Sequence, residues 1–151
     1  MAGDDLRRLF DLLIRFETEF YNAVDARLRQ DFELPLGRFE TMRVVDATTG
    51  CRVQDIARAL SITVGAASKV ADRVEAAGHC RRRPDPADGR SSTITLTPAG
   101  RRLLERAGAA FDAELRARLA DPLTPAALDE LRGTLRTLRA AGTARSEGST
   151  T

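Results

Sequence analysis

Residues 52–97 read RVQDIARALSITVGAASKVADRVEAAGHCRRRPDPADGRSSTITLT, and this stretch decides the fold. Val53, Ile56, Ala57 and Leu60 mark a two-turn amphipathic helix. Ser61-Ile62-Thr63 is a turn, and Thr63 is placed to cap a second helix running to about Ala77, with Ala67, Val70, Ala71 and Val74 inward. Gly78 supplies its stop. Arg81-Arg82-Arg83 then lead into the turn-rich Pro84-Asp85-Pro86-Ala87-Asp88-Gly89, and residues 93–97 alternate as a return strand. Helix, turn, helix and a two-stranded wing is an order that places one helix in a DNA major groove and a basic loop beside it.

The charge distribution points the same way. The 151 residues carry a net charge of only +2, but residues 51–106 hold 11 basic against 6 acidic side chains. That segment is therefore +5 and the rest of the chain −3, the footprint expected where phosphates are met. The outer face of the second helix carries Val64, Gly65, Ala66, Ser68, Lys69, Asp72 and Arg73. Val64 and Ala66 suit thymine methyl groups, and Ser68, Lys69 and Arg73 can reach bases or phosphates. An arginine on a stiff wing tip, here Arg90 beside Ser91, suits a narrow minor groove, and Asp88 two residues earlier is placed to hold its guanidinium. Arg52, Arg58, Arg81 and Arg83 are expected to add phosphate affinity.

Outside this lobe the chain reads as helix. Leu6, Phe10, Leu13, Phe20, Val24 and Leu28 recur at three- and four-residue steps, widened by Leu12, Ile14, Phe16 and Tyr21. A helix of roughly 25 residues exceeds what a small core needs, so its surplus apolar face calls for a second copy of the chain. Pro35 opens a helix with Phe39, Met42 and Val45 on its apolar side. Thr97-Pro98 and Thr124-Pro125 are cap-plus-proline starts of two more helices, rich in leucine at heptad-like spacing and running to about Ala120 and Ala141. The fold class expected is mainly α (α+β): a winged helix-turn-helix lobe over residues 35–97, with a helical dimerisation region built from N- and C-terminal helices, residues 4–34 and 98–141. Together they make one domain over residues 1–141, followed by a small, polar tail at 142–151 expected to be disordered.

Other function classes have weaker support. A single histidine, with no nucleophile–base arrangement and no nucleotide loop, argues against an enzyme and against a cofactor. Two cysteines make no disulfide scaffold. Cys51 and Cys80 read as structural thiols, with a redox- or metal-responsive regulator as the alternative, although Cys51, His79 and Cys80 lack a recognised ligand spacing and no metal site is assigned. A winged helix that binds protein instead of DNA is the other alternative. No apolar run reaches membrane-spanning length, and the acids in MAGDDLRRLF exclude a signal core, so a soluble cytoplasmic protein is expected. Phe16, Phe20 and Phe39 are candidate lining for a ligand pocket, with Glu17 at its edge.

Three motifs carry a resemblance: Asp72-Arg73-Val74-Glu75 followed by Gly78, then the run Arg82 to Ser91, then Leu96-Thr97-Pro98-Ala99-Gly100. Over about residues 5–141 the chain resembles the MarR family of bacterial winged helix-turn-helix regulators. That resemblance implies an obligate homodimer on a pseudo-palindromic operator in double-stranded DNA, acting as a ligand-responsive repressor. It implies that Arg90 enters the minor groove, oriented by Asp88, and that a small aromatic or antibiotic-like effector binds between the dimer helices and the DNA-binding lobe. Val64, Gly65 and Ala66 stand where the family often has Ser/Thr and Lys/Arg, and Gly89 where an arginine is common.

Overall fold

The computed structural model describes the backbone of residues 3–148 and the side chains of residues 3–143. The elements run α1 (Gly3–Phe32), α2 (Leu36–Ala47), α3 (Val53–Leu60), α4 (Val64–Ala76), β1 (Cys80–Pro84), β2 (Ser92–Leu96), α5 (Pro98–Leu115), a π-helical turn (Arg116–Ala120) and α6 (Pro125–Gly148). They divide into two compact units, residues 1–112 and 113–151, where the sequence suggests one domain.

The first unit holds the winged helix-turn-helix. Its core draws Val24 and Leu28 from α1, Phe39 and Met42 from α2, Ile56 from α3, Ala71 and Val74 from α4, and Ile94 and Leu96 from β2. Phe39 is 1% exposed and Met42 0%, so each stabilises the fold by about 1.5–3 kcal/mol through burial alone. Small alanines on the inner face of α4 let it approach closely, and α4 packs on both α2 and α3. Local signals set the boundaries. Ser61 ends α3 in the left-handed region, φ 54°, and Thr63 Oγ1 accepts from Ala66 N at 3.1 Å to cap α4. Pro35, the cap residue of α2, has no side-chain acceptor to offer, so Asp25 of α1 accepts from Leu36 N at 2.8 Å and ties the two helices together.

The wing is an antiparallel pair in which Cys80 faces Leu96 and Pro84 faces Ser92. The Cys51 carbonyl accepts from Ile94 N at 2.7 Å, so the extended piece before α3 lies along β2. The base of the wing is closed by the Thr97–Gly100 turn. Thr97 Oγ1 accepts from Gly100 N at 3.0 Å and donates to Gly78 O at 2.7 Å, and Thr97 N donates to His79 O at 3.0 Å. A Cβ on Gly100 would sit 2.0 Å from His79 O, so only glycine fits there. Gly78, at φ +78°, supplies the left-handed turn from α4 into β1.

α1 has two contrasting halves. Val24 and Leu28 are buried, whereas every residue from Gly3 to Glu19 is exposed, including Phe10 at 61% and Leu12 at 67%. Thirty residues of helix span about 45 Å, well beyond the part that meets the core.

In the second unit the helix expected to continue to Ala120 instead widens after Leu115 into the π-helical turn, where Asp121 N donates to Arg116 O at 2.9 Å, five residues back. Thr124 then caps α6 through Ala127 N at 3.2 Å. The backbone of α6 continues to Gly148, past the expected end at Ala141 and over most of the segment expected to be disordered. Ala144, Arg145 and Glu147 are adequate helix formers, and no proline interrupts them. The last three residues of that segment lie outside the described ones. Leu135 and Leu138 of α6 are 44% and 56% exposed.

Candidate nucleic-acid interface

The recognition helix α4 presents Val64, Ala66, Lys69 and Arg73 exposed and Ser68 half-buried. Val64 is 53% exposed, a large apolar side chain at the first position of a helix with nothing covering it among the described residues. Thr63 is exposed as well, but its hydroxyl already accepts the Ala66 amide, so it sets the helix start. Arg73 also borders a cleft of about 370 Å³ with Tyr21, Asp25, Arg29, Arg38 and Val70.

The three wing arginines divide by strand alternation. Arg81 and Arg83 are exposed, while Arg82 is turned onto α4. The Arg82 guanidinium lies 2.8 Å from Asp72 Oδ1 and 3.3 Å from Ser68 O, and its main-chain N–H donates to Glu75 at 2.7 Å. Arg82 therefore fastens the wing to α4, and Asp72, on the outer face in sequence, is committed to this pair. The Arg82 Nε is buried without a partner among the described residues.

The tip is a hydrogen-bonded loop. Asp85 N donates to Ser91 O at 3.0 Å, Asp88 N to Asp85 O at 3.2 Å, and Ser91 N to Asp88 O at 3.1 Å. Asp88 does not hold the Arg90 guanidinium. Its Oδ1 accepts from the Arg90 main-chain N–H at 3.0 Å, closing an Asx turn, because two residues of separation bring the amide to the carboxylate before the longer side chain. Ser91 is half-buried and belongs to the same turn. Arg90 is exposed and makes no ion pair among the described residues, and with Arg83 and Gly89 it borders a small groove of about 260 Å³.

Two arginines expected at phosphates differ in setting. Arg58 is free to reach solvent, with Asp55 at 3.7 Å. Arg52 instead places its guanidinium on Asp85, which is buried at 8% exposure. Sequence spacing gave no sign of that contact, since the partners are 33 residues apart.

Of the three phenylalanines proposed for a pocket, only Phe39 borders a sizeable cleft. Phe16 and Phe20 stack on each other along α1, with centroids 5.5 Å apart, and line none of the clefts described for this unit; i, i+4 spacing pairs them instead. The cleft beside Phe39, about 510 Å³, lies between α2, α3 and α5 and is lined by Val44, Leu60, Leu104 and Phe111 together with Glu40, Arg43, Asp46 and Asp112. Arg43 sits over the Phe111 ring at 5.0 Å and pairs with Glu40 at 2.8 Å. Phe111, which no local signal separates from an ordinary core residue, packs on Phe39 at 4.8 Å between centroids.

Both thiols are buried. Burial, helped by Asp55 at Cys51 and by Glu75 at Cys80, pushes each up to about 11, so they remain protonated near neutral pH and are poor nucleophiles. This removes the physical basis for a thiolate sensor at either position. Among the described residues no group of three His, Cys, Asp or Glu side chains is arranged to hold a metal ion. No helix among them is long and apolar enough to cross a membrane.

Comparison with known proteins places this geometry. Residues 34–92, from the start of α2 to the return strand of the wing, match the model of the MarR family. The HTH-type transcriptional repressor Rv2887 of Mycobacterium tuberculosis is 37% identical over 92 residues, covering 59% of this chain and 66% of that protein. The matched part thus spans just under two thirds of the length of the curated relatives. The MarR family regulator Sco3205 from Streptomyces coelicolor, solved in complex with DNA, superposes with a TM-score of 0.87 at 22% identity, over 93% of this chain and 89% of that one. The transcriptional repressor CouR, bound to a 23-mer DNA duplex, gives a TM-score of 0.80 at 26% identity, over 92% and 97%. CouR from Rhodococcus jostii RHA1 has also been solved with p-coumaroyl-CoA, matching at a TM-score of 0.76 and 23% identity over 84% and 88%. The wing and the capped recognition helix thus lie in a segment that matches the MarR family model, in a fold shared with MarR family regulators.

Proposed function

We propose that this chain is a DNA-binding transcriptional regulator, a repressor in the manner of its named relatives, working in the cytoplasm and not as an enzyme. The observation that carries this reading is the Arg90 guanidinium. It is exposed, without an ion pair among the described residues, and presented by a tip whose main chain is held by Asp85, Asp88 and Ser91. Such a side chain suits the negative potential of a narrow minor groove. Lys69 and Arg73 on α4, with Arg81 and Arg83 on β1, supply phosphate contacts or base contacts, and Val64 and Ala66 supply apolar contact in the major groove. Ser68 adds a hydroxyl on the same helix, Thr63 fixes its start, and Asp88 and Ser91 shape the tip.

The partner is a second copy of the chain. The N-terminal half of α1 exposes Leu6, Leu9, Phe10, Leu13 and Ile14, an apolar stripe of the kind that marks an interface, and α6 separately exposes Leu135 and Leu138. Two copies present two recognition helices to successive major grooves of a pseudo-palindromic operator. A small-molecule effector is the finer part of this reading. The cleft between α2, α3 and α5 has the size and the mixed aromatic and polar lining of a ligand site, and CouR, a structural neighbour, has been solved with an acyl-CoA. An effector that prefers one separation of the lobes shifts operator affinity through that preference.

Selection of duplexes from genomic DNA with purified protein tests the whole reading. An enriched sequence with two inverted half-sites about one helical turn apart is expected. Enrichment of no duplex at low salt would remove DNA binding and favour a winged helix that docks on protein.

A further inference from the structure

Asp85 is the one charged side chain buried among the described residues. A buried carboxylate is costly unless it is paired and hydrogen-bonded. Here Oδ2 meets the Arg52 guanidinium, and Oδ1 accepts from Ala87 N at 2.9 Å. Its main-chain N–H and carbonyl close the wing tip onto Ser91 and Asp88. Arg52 is just as constrained at its own end. It is the cap residue of α3, and its main-chain N–H donates to Asp55 at 2.8 Å. One side-chain contact therefore joins the start of the helix-turn-helix to the loop that carries Arg90.

We propose that Arg52 and Asp85 form a clamp that fixes where the wing tip stands relative to α3, and that Arg52 is a positioning residue for Arg90 and not a phosphate contact. The clamp rests on the reading of the chain as a DNA-binding protein that uses its wing. Arg82 holds the wing to α4 at mid-strand, whereas Arg52 holds its tip. A hairpin fastened only below its tip pivots about that point, and an arginine some residues further out then samples positions that miss the groove. With the tip fastened as well, the ordering cost is met during folding and not at binding.

The sign of one substitution separates this from simple electrostatics. Asp85→Asn removes a negative charge from a lobe that faces phosphates, so Coulomb attraction alone would tighten DNA binding. The clamp requires the reverse. Operator affinity is measured by mobility shift for wild type, Asp85→Asn, Arg52→Gln, the double variant, and each single variant combined with Arg90→Ala, with a thermal unfolding midpoint for each. Asp85→Asn and Arg52→Gln are each expected to weaken operator binding about tenfold, the double no more than either alone, and neither further once Arg90 is alanine. Asp85 is the riskier site for folding. Arg52, with a side chain 42% exposed, keeps the test open through Arg52→Gln alone. Unchanged or tighter binding by Asp85→Asn, additive losses in the double variant, or a further loss from Arg52→Gln in the Arg90→Ala protein would each overturn the clamp while leaving DNA binding in place. A wild-type chain that binds no duplex would overturn the underlying reading instead.

Discussion

In the proposed DNA-binding role, α4 and the wing would meet DNA in different ways. α4 is a capped element whose exposed face is mostly small and apolar: Val64, Gly65 and Ala66 come first, and only Lys69 and Arg73 carry positive charge outward. The wing is a short hairpin that would have little stability alone. It is fastened at its closed base by Thr97 and Gly100, at mid-strand by Arg82 on α4, and at its tip by Asp85 on Arg52. It offers Arg81, Arg83 and Arg90 outward. The helix thus supplies shape with few base-reading groups, and the wing supplies charge on a backbone held by side chains from elsewhere. Affinity should accordingly depend more on the wing, and the wing should depend more on its anchors.

The largest effect expected is structural. Gly100→Ala places a methyl group against the His79 carbonyl, and backbone at both ends leaves it little room to relax. A loss of about 3 kcal/mol, at the upper end for overpacked sites, should appear as a lowered denaturation midpoint, with DNA binding lost in parallel. Near-native stability would show that the wing base is looser than described. Next comes Arg90→Ala, which removes an exposed side chain and should leave the midpoint unchanged. Operator affinity should fall by about 2 kcal/mol, or about thirtyfold. Retained affinity would shift the weight back to α4. Lys69→Ala is the smallest change. If Lys69 meets a phosphate, the slope of log affinity against log salt should drop by about 0.9, with a uniform loss on specific and random duplexes. A loss confined to the operator would make Lys69 a base reader and raise the standing of α4 relative to the wing.

Much of this was legible because it is written locally. Threonine caps at Thr63, Thr97 and Thr124, the glycine stop at Gly78, the three-and-four spacing in α1 and the alternation in the return strand are short-range signals that the structure keeps within a residue or two. Alternation also separates Arg82 from Arg81 and Arg83. What sequence could not supply were pairings between distant residues of common type. Arg52 looks like any basic residue near a DNA-binding helix until Asp85, far along the chain, is seen beneath it. Asp88 looks like a partner for Arg90, yet the nearer amide takes its carboxylate. Phe16 and Phe20 have the same helical period as Phe39, but only Phe39 lies where α2 and α5 leave a cleft. The π-helical turn at Arg116–Ala120 carries no proline or glycine to announce it.

The dominance of the wing is tested most directly in the DNA. In the selected operator, the A·T pairs flanking each half-site are replaced either by G·C or by inosine·cytosine, which shows the major groove of G·C and the minor groove of A·T. If Arg90 reads the minor groove, inosine·cytosine should bind within about twofold of the original, while G·C, with its amino group in the minor groove, should cost about 1–3 kcal/mol. Equal losses from both replacements would place recognition of the flanks in the major groove and contradict the role assigned to the wing.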